Sequence, residues 1–549
     1  MDEARLRVTQ EAFEAFLSDV AFMSKSRKLP TVLFGRTGAI QDAWIVCSDQ
    51  INVPVLEIGY YAKDRALDFA RARLNVAVPN NPHAEACSRA VSLLLDGLRK
   101  DTTQDGDRFA GYAPVIQAVA DRVAASGNPS TLIAQLQKGE HPVTLQSVVD
   151  AILSREHQKL SSIVLEEKRI AEQLYLPKEQ LSRLGARVYG GIAPQLIQMC
   201  AQDTQTYSSA LETWVPEHPF LDGNNRPSSA VFAAVIAAAA LQNESIAAKA
   251  LAAELAKGAA SNPFLSEFYF SGRDSSFLPP EHVGIVYSSI RARLSLGDSA
   301  SLLVDGSDDG SDEGLLRAEI EIGTVRADGT NNRVLRFSSE QAGTLKLGSH
   351  VQDVEINAPH AQVEIGGAKE VVLVAPVVIQ GGVLSIAAEK VVLEAIPNSS
   401  DAAVFIEAQQ ANVSLISSVP ILNGVSLSVA WPGSSAHPWT NFSTNPTESS
   451  DPRLEEALRR FRKFVISFRS HSKGSLKRFK DKLDHERMTK GSGRSVLDHM
   501  MKTGVVTLDG EMYTLHPQEL TRQADASYLS CMARRFSDGT IRFVTEAIS

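Results

Sequence analysis

Apolar and polar positions fall into distinct textures along the chain. Between residues 9 and 25, Phe13, Phe16, Leu17, Val20 and Phe22 recur at helical spacing and predict an amphipathic helix. Short β-rich runs follow at 31–34, 43–47 and 53–58, then a helical stretch at 63–73 and an apolar run at 76–78. That alternation predicts a small α/β domain over residues 1–105. From 112 to 255 the period is helical, as in 115–124, 145–153 and 158–174, which predicts an α-helical domain over 106–296. Beyond it, apolar pairs separated by one residue appear at Leu345/Leu347, Val354/Ile356 and Val363/Ile365. The series continues at Val372/Val374, Leu384/Ile386, Val391/Leu393, Val404/Ile406, Val413/Leu415 and Leu427/Val429. Short strands of this kind predict a β-solenoid, with a β-sandwich as the alternative, over 315–432.

Two stretches lack a core pattern. Residues 305–314 reduce to Gly, Ser and acid, and residues 432–451 are rich in Ser, Pro, Thr and Asn. Compositions like these predict linkers, at 297–314 and 433–452. The first stretch has acids close together at Asp305, Asp308 and Asp309, but not the glutamate and flanking helices of a calcium-binding EF loop. The last segment, 453–549, opens with a basic helix at 454–470 whose apolar face carries Leu458, Phe461, Val465 and Phe468. It continues with a helix at 496–502, alternating strands at 505–508 and 512–515 joined by Asp509-Gly510, and further helix at 517–528. Helix followed by hairpin in this order resembles a winged-helix module. The whole reads as a multidomain α+β chain.

Charge changes this picture. The chain of 549 residues carries 55 basic and 64 acidic residues, a net charge of −9. Residues 451–549 hold 19 Lys and Arg against 13 Asp and Glu, whereas the preceding 450 hold 36 against 51. An acidic body with a basic tail points to an anionic partner, or to a basic helix packed on an acidic neighbour. Under the first reading Lys463, Arg469, Lys473, Lys477, Arg478 and Lys480 would contact nucleic-acid phosphates, with the hairpin at Asp509 as the wing. Three unlike modules on one chain also resemble, by architecture, components of multi-gene bacterial systems such as phage defence, which implies a protein partner.

Four widely spaced cysteines, Cys47, Cys87, Cys200 and Cys531, form no metal or disulfide pattern and fit a reducing cytoplasm. No apolar run is long enough to span a membrane, and the first residues lack a secretory layout, so a cytoplasmic protein without membrane contact is expected. Phe34-Gly-Arg-Thr-Gly38 follows a β-rich run like a phosphate loop but lacks the lysine that grips phosphate.

One segment has residues of a catalytic type. His218-Pro219-Phe220-Leu221-Asp222-Gly223-Asn224-Asn225-Arg226 resembles the signature loop of the Fic/Doc family, HPFxDGNxR. Members of that family move AMP, another nucleotide moiety or phosphate from a nucleotide to a protein hydroxyl. The resemblance implies His218 as general base, Asp222 holding Mg²⁺, and Gly223, Asn224 and Arg226 on the phosphates of a nucleoside triphosphate. Ser229 stands where the fuller adenylylating pattern has a second arginine, and Pro216 interrupts the approach to the histidine. The same residues also fit a plain turn between helices, with Asn225 capping and Pro227 early in the next helix. Two functions therefore stand side by side: a modular binding and assembly protein associated with nucleic acid, and a Fic-like transferase.

Overall fold

The computed structural model describes residues 10–27, 31–33, 37–56, 59–126, 128–137, 144–222, 224–271, 277–295, 297–306, 315–326, 329–340, 343–396, 402–444, 449–468 and 476–549. The chain divides into two compact units, one of residues 1–250 with 262–271, the other of 251–261 with 272–549.

Among its described residues the first unit consists of helices joined by turns and coil, with no strand. In chain order it contains α1 (Gln10–Arg27), α2 (Thr37–Ser48), α3 (Lys63–Ala77), α4 (Ala84–Asp101), α5 (Ala113–Ala125), α6 (Pro129–Gln137), α7 (Leu145–His157), α8 (Pro177–Tyr189), α9 (Ala201–Trp214) and α10 (Ala230–Ala240). The expected α/β domain is therefore corrected. Residues 43–47 lie inside α2, where Ala43 and Cys47, four apart, are buried with Phe13, Leu17 and Ala21 of α1. A spacing of four closes one helical turn, and tertiary burial overrides the β-branched character of Ile45 and Val46. Residues 53–56 are coil, and the run at 76–78 ends α3. No domain boundary falls at 105, because α3 and α4 both pack on α5. The helix expected over 158–174 is instead two short 3₁₀ turns joined by irregular chain.

The second unit is built on a β-solenoid of about three turns. Its strands are β1 (Ser299–Asp305), β2 (Leu315–Arg326), β3 (Gly329–Glu340), β4 (Thr344–Lys346), β5 (His350–Gly366), β6 (Glu370–Ala387), β7 (Lys390–Ala395), β8 (Ala403–Asn412), β9 (Ile421–Asn423) and β10 (Ser426–Ala430). The long strands bend, so that each coil contributes to three faces. The first face stacks the start of β5 on β6, β7 and β9; the second stacks β1, β5, β6, β8 and β10; the third stacks β4, β5, β6 and the end of β8, all in parallel register. The β2–β3 hairpin adds to the second face, antiparallel to β1. The apolar ladders point inward as expected, with Val354, Ile356, Val363, Ile365, Leu384, Ile386, Val391 and Leu393 buried.

Two pairs shift. In β6 the inward residues are Val371 and Leu373 rather than Val372 and Val374, one step out of register with the expectation. Val413/Leu415 is no strand at all, and Leu415 is 61% exposed. The expected linkers are also partly structure. Residues 299–305 form the first solenoid strand, and 431–444 fold into turns that bury Trp431 against Trp439.

The last segment follows the order α11 (Pro452–Ser467), β11 (Lys477–Phe479), two single-turn helices, α12 (Gly493–Lys502), β12 (Val506–Asp509), β13 (Met512–Leu515), α13 (Pro517–Ala524), another short helix and α14 (Asp538–Ile548). Its sheet runs β11-β13-β12, all antiparallel. The hairpin is present, but its turn residues are Gly510 and Glu511, one step along from the expected Asp509-Gly510, since Asp509 pairs with Met512; Gly510 takes the left-handed φ of 58° that a tight hairpin requires. Its core is continuous with the solenoid: Val378, Ala403 and Phe405 are buried in one cluster with Leu458, Phe461, Val465, Leu497 and Phe543.

Candidate functional site

The loop from His218 to Arg226 joins α9 to α10. His218 is 1% exposed. Its Nδ1 accepts the Phe220 N–H at 3.1 Å, and its Nε2 lies 3.2 Å from Gln180 Oε1. The Gln180 amide nitrogen donates to the carbonyls of Leu153 and Tyr175, which leaves Oε1 as an acceptor. His218 must then carry its proton on Nε2 and present Nδ1 to the backbone: a neutral imidazole with both nitrogens engaged. Phe220 is fully buried and stacks on Phe232 at 4.3 Å. Asp222 Oδ1 accepts the N–H groups of Asn224 and Arg226 at 2.8 and 2.9 Å. Asn225 takes φ 58°, and its Oδ1 receives Arg187 Nε at 2.7 Å. Asn224 and Arg226 are exposed, while Gly223 lies outside the described residues.

The helix that follows begins with a built-in anion. Asp105 Oδ1 receives the Ala230 N–H at 2.6 Å and Oδ2 that of Phe109 at 2.9 Å, while Ser229 Oγ caps Phe232. Helix N-termini attract phosphate through such free amides; here an internal carboxylate stands in that place. Burial pushes the Asp105 carboxyl above its ordinary value, against the pull of the two N–H bonds and of Arg108. Sequence reasoning missed Asp105, which lies 125 residues before Ala230 with no motif to mark it. With Asp222 Oδ1 holding two amides and His218 sealed inside, these residues do not fit a magnesium nucleotide.

The cations of the last segment lie elsewhere in the structure, and several have partners inside the second unit. Lys463 Nζ meets Asp305 Oδ2 at 2.8 Å, with the two side chains 16% and 12% exposed. Arg478 pairs with Glu321 at 2.8 Å and Lys482 with Glu319 at 2.9 Å. Arg534 bridges Glu407 and Glu455. Arg462 is buried, donating to the carbonyls of Cys531 and Met532 and to Gln380 Oε1, with its guanidinium 5.3 Å from the Phe405 ring. Lys463 and Arg478, assigned from sequence to phosphates, are thus ion-pairing residues within the fold. Lys477 is exposed and Lys480 half-buried, whereas Arg469 and Lys473 lie outside the described residues.

Strand register explains how the acids gather. Asp305, Asn357, Gln380 and Glu407 are direct partners across β1, β5, β6 and β8, a polar row on the face that receives the last segment. Parallel stacking puts such neighbours about 4.8 Å apart. Glu319 and Glu321 extend the same face through β2. Burial pulls the Glu319 carboxyl up, but hydrogen bonding and charge from Lys482 and Arg336 outweigh it and leave it below the ordinary value. Beside the row, Gln380, Glu407, Gln409, Trp431, Thr444 and Arg534 line a cavity of about 490 Å³. In the first unit Glu167, Cys200 and Asp203 converge within 4.8 Å of one another. The Asp203 oxygens there accept the Glu166 and Glu167 N–H groups, which marks a capping arrangement.

No protein-family model, curated protein or solved structure matches this chain. No helix among the described residues is long and apolar enough to cross a membrane.

Proposed function

We propose that this chain is a modular binding and assembly protein that works through protein partners, with the solenoid and its C-terminal module as the rigid platform. The observation that carries the reading is the set of ion pairs joining Lys463, Arg478, Lys482 and Arg534 to the solenoid acids Asp305, Glu321, Glu319 and Glu407. Cations held this way satisfy an acidic sheet and are withdrawn from phosphates.

The module itself is winged-helix-like, a reading supported by its helix–strand–helix–hairpin order and its β11-β13-β12 sheet. The surface that would face DNA is not cationic. Exposed α12 residues are Arg494, Ser495, Asp498 and Lys502, with Arg494 paired to Asp484 and Asp498. The hairpin tip carries Asp509 and Glu511, which would repel a phosphate backbone. A protein-docking role for this module accounts for both facts. The sealed His218 and the Asp105 carboxylate at the start of α10 support a structural role for the Fic-like loop. The four free cysteines fit a reducing compartment.

Fluorescence anisotropy with labelled duplex DNA and single-stranded RNA at low salt tests the reading. No saturable binding is expected, and Lys477→Ala with Lys480→Ala should change nothing. Saturable binding lost in that double variant would restore the nucleic-acid reading. Incubation with Mg²⁺ and labelled ATP, CTP, GTP or UTP should label nothing; labelling abolished by His218→Ala in a folded variant would restore the transferase.

A further inference from the structure

The two ends of the solenoid are finished differently. At its start, the helix Val283–Ala292 lies against β4, so closely that a side chain at Gly284 would strike the Lys346 carbonyl. At its end, the second face is covered, because Val429 of β10 exchanges hydrogen bonds with Phe442 and Thr444. On the first face no strand among the described residues continues the stack beyond β9, which pairs with β7 on one side. Ile421 and Leu422 on this strand are 43% and 40% exposed, and Leu415 and Val419 beside it are 61% and 46% exposed.

Proteins ordinarily protect an open strand edge with lysine, other charges or a covering element. Here no Asp, Glu, Lys or Arg occurs anywhere between Glu407 and Glu448, in a chain that is 22% charged. The stretch free of charge is the stretch that forms the open end.

We propose that this end is a self-association surface, where β9 of one copy pairs antiparallel with β9 of a second copy about a two-fold axis. The occupant follows from charge. Two copies of a chain with net charge −9 repel one another over most of their surface, and this neutral apolar end lets them meet without opposing like charges. A two-fold contact places the same patch on both sides, so with the axis between them Ile421 of each copy lies opposite Leu422 of the other. A charged partner would find no complement here. The inference rests on the assembly reading and names its partner as another copy of the chain.

Sedimentation velocity on the full chain, from about 1 to 100 µM, tests it in the range expected for a small interface. The wild type should reach a reversible dimer. Leu422→Lys should weaken association at least tenfold with an unchanged circular dichroism spectrum, and Leu415→Glu, in a turn outside any strand, should do the same. Leu508→Lys, at an exposed position on β12, should leave it intact. A wild type that stays monomeric throughout, or a dimer indifferent to both end variants, overturns the proposal. Nucleic-acid binding measured on the same samples reports separately on the assembly reading: a monomer that binds no nucleic acid removes only the self-association.

Discussion

Removing the charge of Lys463 should cost far more than removing a surface lysine, and the excess should disappear when Asp305 is neutralised with it. The pair is held at 2.8 Å with both side chains more than four-fifths buried. Exposed ion pairs contribute about 0.2–1 kcal/mol. For two charges 4 Å apart the attraction rises from about 1 kcal/mol in water to about 4 at an effective dielectric constant of 20. Desolvation offsets part of that, yet stranding one buried partner costs about 3–5 kcal/mol. We therefore expect Lys463→Met and Asp305→Asn each to destabilise by about 3 kcal/mol and the double variant by about 4, a coupling of roughly 2 kcal/mol.

Bulk unfolding of a chain with two units is a poor readout, because it need not be two-state. Native-state hydrogen exchange of amides in α11 reports the opening of the relevant segment directly. A coupling within about 0.5 kcal/mol of zero would mean that the two charges do not sense each other, and the docking argument would fail with it.

Three further outcomes follow from the same geometry. Phe405→Ala removes a ring that is 1% exposed and lies beneath Arg462; a loss of about 3–5 kcal/mol in the second unit, measured by native-state hydrogen exchange of amides in α11, is expected. Asp105→Ala leaves the Ala230 and Phe109 N–H groups without their acceptor and should cost about 1–3 kcal/mol in the first unit, with Asp105→Asn milder. Glu319 and Glu456 are held below the ordinary value of 4.5, so their contribution is complete above that value and is lost as pH falls through their lower folded values. The melting temperature of the second unit should hold steady down to that point and drop below it, less steeply in Glu319→Gln.

The solenoid was legible because inward residues alternate, and alternation with short turns has few other solutions. Even there, the shift from Val372/Val374 to Val371/Leu373 shows the limit: in the run Val371-Val-Leu-Val374 either parity reads as apolar. The N-terminal error has a similar source. Ala43-Trp-Ile-Val-Cys47 is β-rich by composition, and only the burial of Ala43 and Cys47 on one side discloses the helix. Charge segregation was visible in composition, but its partner was not. Lys463 and Asp305 are 158 positions apart, and the acids align through strand register rather than sequence order. The Fic-like residues were legible as a motif; the burial of His218 and the arrival of Asp105 belong to tertiary structure and leave no trace in the loop.

Zero-length carbodiimide cross-linking of the native full chain, read by mass spectrometry, tests the central claim most directly, since it joins a lysine amine only to a carboxylate in contact. The account predicts Lys482–Glu319 and Lys463–Asp305 bonds, both persisting at high salt because the paired side chains are largely buried and the module is also held by apolar packing. If both lysines label freely with amine reagents and neither bond forms, the C-terminal module is not docked on the acidic face of the solenoid.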